Sequence, residues 1–238
     1  YPARFAAAVL SSSATIAIII PPSIPMILYG AITGSSIVKL FMAGVVPGLM
    51  LAVGMYIVII IAAWRIPGLD RGEFRLKTVL TSTWGALPGL GMPVLVLGGL
   101  YSGLFTPTEA AAAACGYALV YGLISGRGQF LRELLPVAAR AMNLSAVVFF
   151  LVGSVGIFQF VAANQAWPQQ LAQMVIDMNL APLPFLCGYL GLLLMLGTFL
   201  DGIAMILLTV PVVFPVARAL GIDPIHLGII VTMGVELS

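Results

Sequence analysis

Charge is the scarcest property of this 238-residue sequence: ten Lys and Arg and eight Asp and Glu make up 8% of it. Soluble domains carry roughly 25% charged residues, so a water-soluble fold is excluded. The net charge of +2 has no dense basic patch behind it, which excludes a nucleic-acid partner. Histidine occurs once, as His226, and cysteine twice, as Cys115 and Cys187. Neither cysteine has a second ligand near it in sequence, so a disulfide scaffold and a transition-metal centre are both excluded, and the cysteines read as reduced packing residues. A membrane-embedded hydrolase would need a Ser/His pair or paired carboxylates within the bilayer. The one histidine sits just after Asp223-Pro224, where a helix would begin near an interface. The chain is not read as an enzyme.

What the sequence has in abundance is hydrophobic residues, 61% of the total, and they run uninterrupted by charge. No charged residue falls between Arg4 and Lys39, Lys39 and Arg65, Lys77 and Glu109, or Arg140 and Asp177. Each gap holds a helix of about 20 residues, the length that crosses a hydrocarbon core of ~30 Å. The ~10-residue alternation of a membrane β-barrel is absent. The fold class is therefore an all-α, multi-pass integral membrane protein. Arg65, Arg71, Arg75 and Lys77 form one basic loop and Arg127, Arg132 and Arg140 another. With both loops cytoplasmic, crossings at 5–30, 40–64, 78–104, 109–125 and 141–162 place Arg4 on the same side. Eight of the ten basic residues then share one face, as the positive-inside rule requires.

Two stretches do not read as simple crossings. "SSSATIAIIIPPSIP", residues 11–25, leads hydroxyl side chains into prolines at 21, 22 and 25. It is either a proline-kinked helix whose serines satisfy freed carbonyls, or an unwound stretch between two half-helices. "PLPFLCGYLGLLLMLGTFLDG" climbs to Asp201-Gly202, and a second apolar run interrupted by Pro211 and Pro215 follows. That pair is either a surface turn between two crossings or the tip of a re-entrant hairpin near the midplane. Residues 127–140, "RGQFLRELLPVAAR", put Phe130, Leu131, Leu134, Leu135 and Ala138 on one helical face, the pattern of an interfacial helix. Residues 223–238 repeat the grammar of residues 1–13: X-Pro, an apolar climb, then polar residues in mid-membrane. Copies running in opposite directions would be an inverted repeat.

"FAAAVLSSSATIAIIIPPSIPMILYG", "GLYSGLFTPTEAAA" and "GTFLDGIAMILLTVPVVFPVARALGIDPIHLGII" together resemble the large membrane subunit of tripartite ATP-independent periplasmic (TRAP) transporters, over nearly the whole chain. The resemblance implies an elevator-type permease of the bacterial inner membrane that imports organic acids of the C4-dicarboxylate or sialic acid class. It implies Na⁺ as the coupling ion and no other cofactor. The implied partners are a small membrane subunit, a periplasmic substrate-binding protein and the lipid bilayer. It also implies that the chain continues beyond both Tyr1 and Ser238. A Na⁺-coupled carboxylate carrier or Na⁺/H⁺ antiporter working without a binding protein is the alternative.

On this basis the domain reading is an unwound transport helix of repeat one at 1–30, scaffold and linking helices at 31–126, and the interfacial helix at 127–140. A crossing with a periplasmic amphipathic segment follows at 141–181, then the re-entrant hairpin of repeat two at 182–222 and the start of a second broken helix at 223–238. Na⁺, a hard cation, would take oxygens from Ser11, Ser12, Ser13 and Thr15, from the Gly197, Thr198, Asp201 and Gly202 turn, and from Thr209. Substrate would meet Ser13, Pro22, Ser23 and Gly202, where a half-helix N-terminus favours an anion. Thr106 and Glu109 around Pro107 form a structural capping box. Asn143, Ser145, Ser154 and Gln159 read as interhelical hydrogen-bonding positions. Glu236 is an acid deep in the last apolar segment.

Overall fold

The computed structural model describes residues 3–66, 76–125 and 129–238. Arg71, Arg75 and Arg127 of the two basic loops lie outside the described residues. Among the described residues every regular element is an α-helix. In chain order these are α1 (Ala3–Ile19), α2 (Ile24–Thr33), α3 (Ile37–Trp64), α4 (Leu76–Tyr101), α5 (Pro107–Ser125), α6 (Gln129–Asn164), α7 (Trp167–Asp177), α8 (Pro182–Leu196), α9 (Gly202–Ala219) and α10 (Pro224–Leu237). Helices α3, α4, α6 and α9 are long and apolar enough to cross a membrane. The chain is an integral membrane protein.

Three expectations are corrected, two of them about helix continuity. Ser11, Ser12 and Ser13 do not lie in an unwound stretch: α1 is helical through all of them, and through Thr15, to Ile19. The break comes at Ile20–Ser23, because proline, not a serine run, removes the N–H donors that a helix needs. Ser13 shows how serine stays helical, its hydroxyl donating back to the Val9 carbonyl at 2.7 Å and the Leu10 carbonyl at 3.1 Å. The second correction concerns residues 127–140, whose described part is not a separate interfacial helix. It is the first portion of α6, which runs 36 residues from Gln129 to Asn164. Nothing in Ala141–Ala146 is a glycine or proline, so the backbone has no reason to stop there. The third concerns the cysteines. Cys115 and Cys187 are free and exposed; in a membrane chain apolar neighbours in sequence mark an outward face as readily as a core.

The chain divides into two units, with α3 and α6 contributing to both. One holds Tyr56–Asn143 together with the start of α1. There α4 packs on α5, and Tyr117 on α5 donates its hydroxyl to the Pro88 carbonyl at 2.7 Å. Gly91 is what admits that ring: a Cβ there would stand 2.7 Å from the Tyr117 hydroxyl. The start of α5 is fixed by a capping box. Glu109 accepts from the Thr106 amide and hydroxyl, both at 2.8 Å, and the Glu109 amide donates to Thr106 Oγ1 at 3.4 Å.

The other unit holds Ala6–Met55 and Leu144–Ser238. Here α9 packs against α2, α7, α8 and α10, and α10 also packs against α2 and α8. Its core comprises Tyr29, Phe41, Ile19, Met26, Leu193, Met205, Ile206, Leu227 and Val231, all essentially inaccessible. Helices approach closely through glycines, as membrane helices do when packing, not water, drives association. Gly228 lies under the Tyr29 ring and Leu40, Gly234 under Leu193 and Leu190, and Gly44 under Met26. Tyr29 donates to the Pro224 carbonyl at 2.7 Å and so ties α2 to the start of α10. Gln159 donates to the Leu207 carbonyl at 3.4 Å, an interhelical bond, whereas Ser154 bonds only within its own helix, to Phe150.

Candidate functional site where two helices begin

Besides α3, where Ser36 accepts the Lys39 amide at 3.4 Å, three helices of the second unit begin with an oxygen cap. Ser23, 1% exposed, accepts the Met26 amide at 3.4 Å at the head of α2. Asp201 accepts the Ile203 amide at 3.2 Å at the head of α9. Asp223 accepts the Ile225 and His226 amides at 2.8 and 3.0 Å at the head of α10. Each cap follows from sequence: a short oxygen-bearing side chain stands just before an apolar run, with proline in the first turn of α2 and α10.

The first two of these helix heads open on the same cleft, of about 460 Å³. Its walls come from Ile18 at the end of α1, Pro22 and Ser23 of the break, and Ile24 and Pro25 of α2. The opposite wall is Asp201, Gly202 and Ile203 at the head of α9, with Val235 near the end of α10. The positive ends of two helix dipoles therefore face one space, which favours an anionic group. Among the described residues no lysine or arginine lines the cleft, and Asp201, exposed and accepting the Ile203 amide, is the one charged side chain there; it favours a cation.

The hairpin between α8 and α9 is closed by a short turn, with the amides of Phe199 and Leu200 both bonded to the Leu196 carbonyl at 2.9 Å. Two glycines flank the turn, and both are contact points with α10. A Cβ on Gly202 would stand 2.6 Å from Val235 Cγ1, and one on Gly197 would collide with the Ser238 side chain.

Of the residues singled out from sequence, the fold brings Pro22, Ser23, Asp201 and Gly202 together at the cleft. Gly197 and Thr198 belong to the adjoining turn without lining it; the Thr198 hydroxyl donates to the Met195 carbonyl at 2.8 Å. Ser11, Ser12 and Ser13 stand earlier on α1 and are not among the described lining residues; Thr15 belongs to the same helix. Thr209 is two turns into α9, buried, with its hydroxyl shared between the Met205 carbonyl and the Tyr189 hydroxyl, each at 2.8 Å. Ile18 and Val235 were not singled out. The signal for Val235 was available in the two glycines around Asp201, since paired glycines in an apolar turn predict that another helix comes close.

An all-helical membrane chain with two broken-helix N-termini facing one cleft has the architecture of a membrane carrier. The whole of it, residues 1–238, matches the family described as the tripartite ATP-independent periplasmic transporter, DctM component, and the chain belongs to that family. The family is one of transporters, not enzymes, and its members are inner-membrane proteins. The chain is 41% identical to the C4-dicarboxylate TRAP transporter large permease protein DctM of Pseudomonas aeruginosa, over 100% of this chain and 56% of that protein. It is 34% identical to the sialic acid TRAP transporter large permease protein SiaM of Vibrio cholerae, over 98% of this chain and 55% of that protein. It is 35% identical to the ectoine/5-hydroxyectoine TRAP transporter large permease protein UehC of Ruegeria pomeroyi, over 100% of this chain and 56% of that protein. The chain thus spans about half the length of these relatives.

Proposed function

We propose that this chain forms part of the permease subunit of a secondary transporter that imports small organic acids, driven by Na⁺ and supplied by a periplasmic binding protein. The observation that carries the reading is the meeting of the α2 and α9 heads at one cleft. An organic acid brings a carboxylate, which suits the positive end of the α2 dipole at Ser23. Na⁺ needs several oxygens at once, and Asp201 with the carbonyls of the 197–201 turn can offer them. The two ligands then support each other, since the cation offsets the Asp201 charge that would repel the substrate carboxylate. The apolar side chains of Ile18, Ile24, Ile203 and Val235 lower the local dielectric and so strengthen both interactions. Movement of the α8–α9 hairpin and α2 as one body against a scaffold, in an elevator motion braced by a small membrane subunit, would carry the cleft across the membrane.

The relatives' names mention C4-dicarboxylates, sialic acid and ectoines, so the substrate class proposed is a small carboxylate-bearing solute and no single compound. The test is uptake by the full-length protein, with its small subunit and candidate binding proteins, in proteoliposomes. Uptake of a labelled organic acid that needs both an inward Na⁺ gradient and the binding protein is the expected result. Uptake unaffected by replacing Na⁺ with K⁺ would remove the cation from the reading, and uptake without the binding protein would remove that partner.

A further inference from the structure

Pro211 lies inside α9, and a proline has no N–H to give the carbonyl four residues before it. Here that carbonyl belongs to Leu207, which is buried. A buried backbone oxygen left without its helical donor needs one from a neighbouring helix. Gln159 on α6 is that donor, its side-chain amide reaching the Leu207 carbonyl at 3.4 Å.

The bond is a reach across a gap. Among the described residues α6 is not one of the helices that α9 packs against, so a long side chain makes the connection. Helix α7 keeps Gln159 in range. Phe158, its neighbour on α6, meets Trp167 at the start of α7 edge-on, with ring centroids 5.9 Å apart, and α7 packs on α9. All of these residues belong to the unit that contains the cleft. A second helix holds α9 at the same level, where Tyr189 of α8 shares a hydrogen bond of 2.8 Å with Thr209. Leu207 and Thr209 are two residues, or ~3 Å of rise, apart. On the cleft side of these two bonds α9 has only Gly202–Ile206, little more than one turn, and its Asp201 cap. Helices bend where a proline interrupts the ladder of backbone bonds, so the orientation of that short head depends on what grips α9 just before Pro211.

We infer that Gln159 is a positioning residue, whose amide replaces the N–H that Pro211 lacks and fixes the head of α9 in the orientation that presents Asp201 and Gly202 to the cleft. Without that amide the Leu207 carbonyl loses its donor, and the head of α9 tilts about Pro211 more freely. A ligand at the cleft then meets Asp201 over a range of positions and binds more weakly, although no group that touches it has changed. The inference deepens the transport reading and rests on it for the effect on uptake; the replacement of one donor by another does not depend on it.

The experiment uses the full-length protein in lipid nanodiscs in four forms: parent, Gln159→Leu, Pro211→Ala and the double variant. P211A gives the Leu207 carbonyl a backbone N–H of its own helix. Hydrogen exchange is followed by mass spectrometry. With Pro211 present, Q159L should speed exchange of the amides of residues 203–210 by about fivefold, the worth of one hydrogen bond, and leave α10 unchanged. In the P211A background the same substitution should have little effect. Equal acceleration in both backgrounds, none in either, or acceleration spread evenly into α10 would overturn the inference. If Q159L alone lowers the yield of folded protein, adding P211A should restore it to the level of P211A by itself, and no restoration would overturn the exchange of donors. In proteoliposomes with the small subunit and binding protein, Q159L should raise the half-saturating Na⁺ concentration severalfold, which a smaller folded fraction cannot do, and P211A should cancel the rise. An unmoved half-saturation would overturn the positioning role. Failure of the parent to take up any organic acid, or to respond to Na⁺, would count against the transport reading alone, because exchange reports the head of α9 directly.

Discussion

Asp201 and Asp223 are the same residue doing the same local job, and the fold uses them differently. Both precede a helix and both cap it. Asp223 accepts two amides, at 2.8 and 3.0 Å, and its helix continues into a neighbour-lined path whose start is also tied by Tyr29. Asp201 accepts one amide, at 3.2 Å, at the rim of a cleft shared with a second helix head. A carboxylate can accept several hydrogen bonds or bind a cation. At Asp223 one oxygen takes two amides and at Asp201 one oxygen takes one, so the decisive difference is that Asp201 stands at the cleft. Identical sequence logic thus yields a structural cap in one place and a candidate binding group in the other, and what separates them is the neighbour across the gap.

The sharpest way to break this comparison is to neutralise each acid. Asp201→Asn keeps a capping oxygen but removes the charge. Na⁺-driven uptake per folded molecule should fall by about tenfold or more, which corresponds to at least ~1.4 kcal/mol of lost ligand interaction. Thermal stability in detergent should change little, because asparagine caps as well as aspartate. Uptake at the parent rate would make Asp201 another Asp223. Next in size is Gly202→Val, which forces a side chain against Val235 Cγ1. Overpacking of this kind costs about 1–3 kcal/mol, and Val235→Ala in the same chain should recover part of the loss in both unfolding temperature and uptake. Full additivity of the two substitutions would show that the contact carries no energy. Asp223→Ala should then cost about 1 kcal/mol of stability with uptake per folded molecule near the parent value, the reverse of the pattern at Asp201.

Proline and glycine carried most of what the sequence revealed. Pro21 and Pro22 located the gap between α1 and α2: single prolines stay within α3, α4, α6 and α9, whereas two in succession remove two neighbouring N–H donors. The serines before them were assigned to the same break. They stay helical because a serine hydroxyl can return its bond to its own backbone, as Ser13 does to Val9, so a run of serines gives no direction either way. Asp201-Gly202 marked the hairpin turn for a local reason: an oxygen cap and a small residue ahead of an apolar run. Thr209 was legible only in part, for a non-local reason. A polar residue within an apolar helix signals a partner but does not say which, and here the partner is Tyr189 on the paired helix. The amphipathic pattern of residues 129–140 did not specify an element boundary, since periodicity describes a face and not an end, and Pro136 within it does not end α6 either. Val235 came into view with the packing: the glycines around Asp201 announce a close neighbour, but that neighbour lies more than thirty residues along the chain and no local pattern names it.

The smallest expected effect extends the comparison of caps to the other unit. Thr106 and Glu109 close the start of α5 with three hydrogen bonds of 2.8, 2.8 and 3.4 Å, more than either aspartate makes. Both residues are exposed, so water can replace part of what either loses. Thr106→Ala removes the hydroxyl from both its bonds, leaving Glu109 bonded only to the amide at position 106, and should cost about 0.5–1 kcal/mol, read as a small drop in the unfolding temperature of the full-length protein. Organic-acid uptake per folded molecule should not change. If T106A instead lowers uptake as Asp201→Asn does while stability stays level, then hydrogen-bond saturation is no guide to which caps are structural. The contrast between Asp201 and Asp223 would then have to rest on the cleft alone.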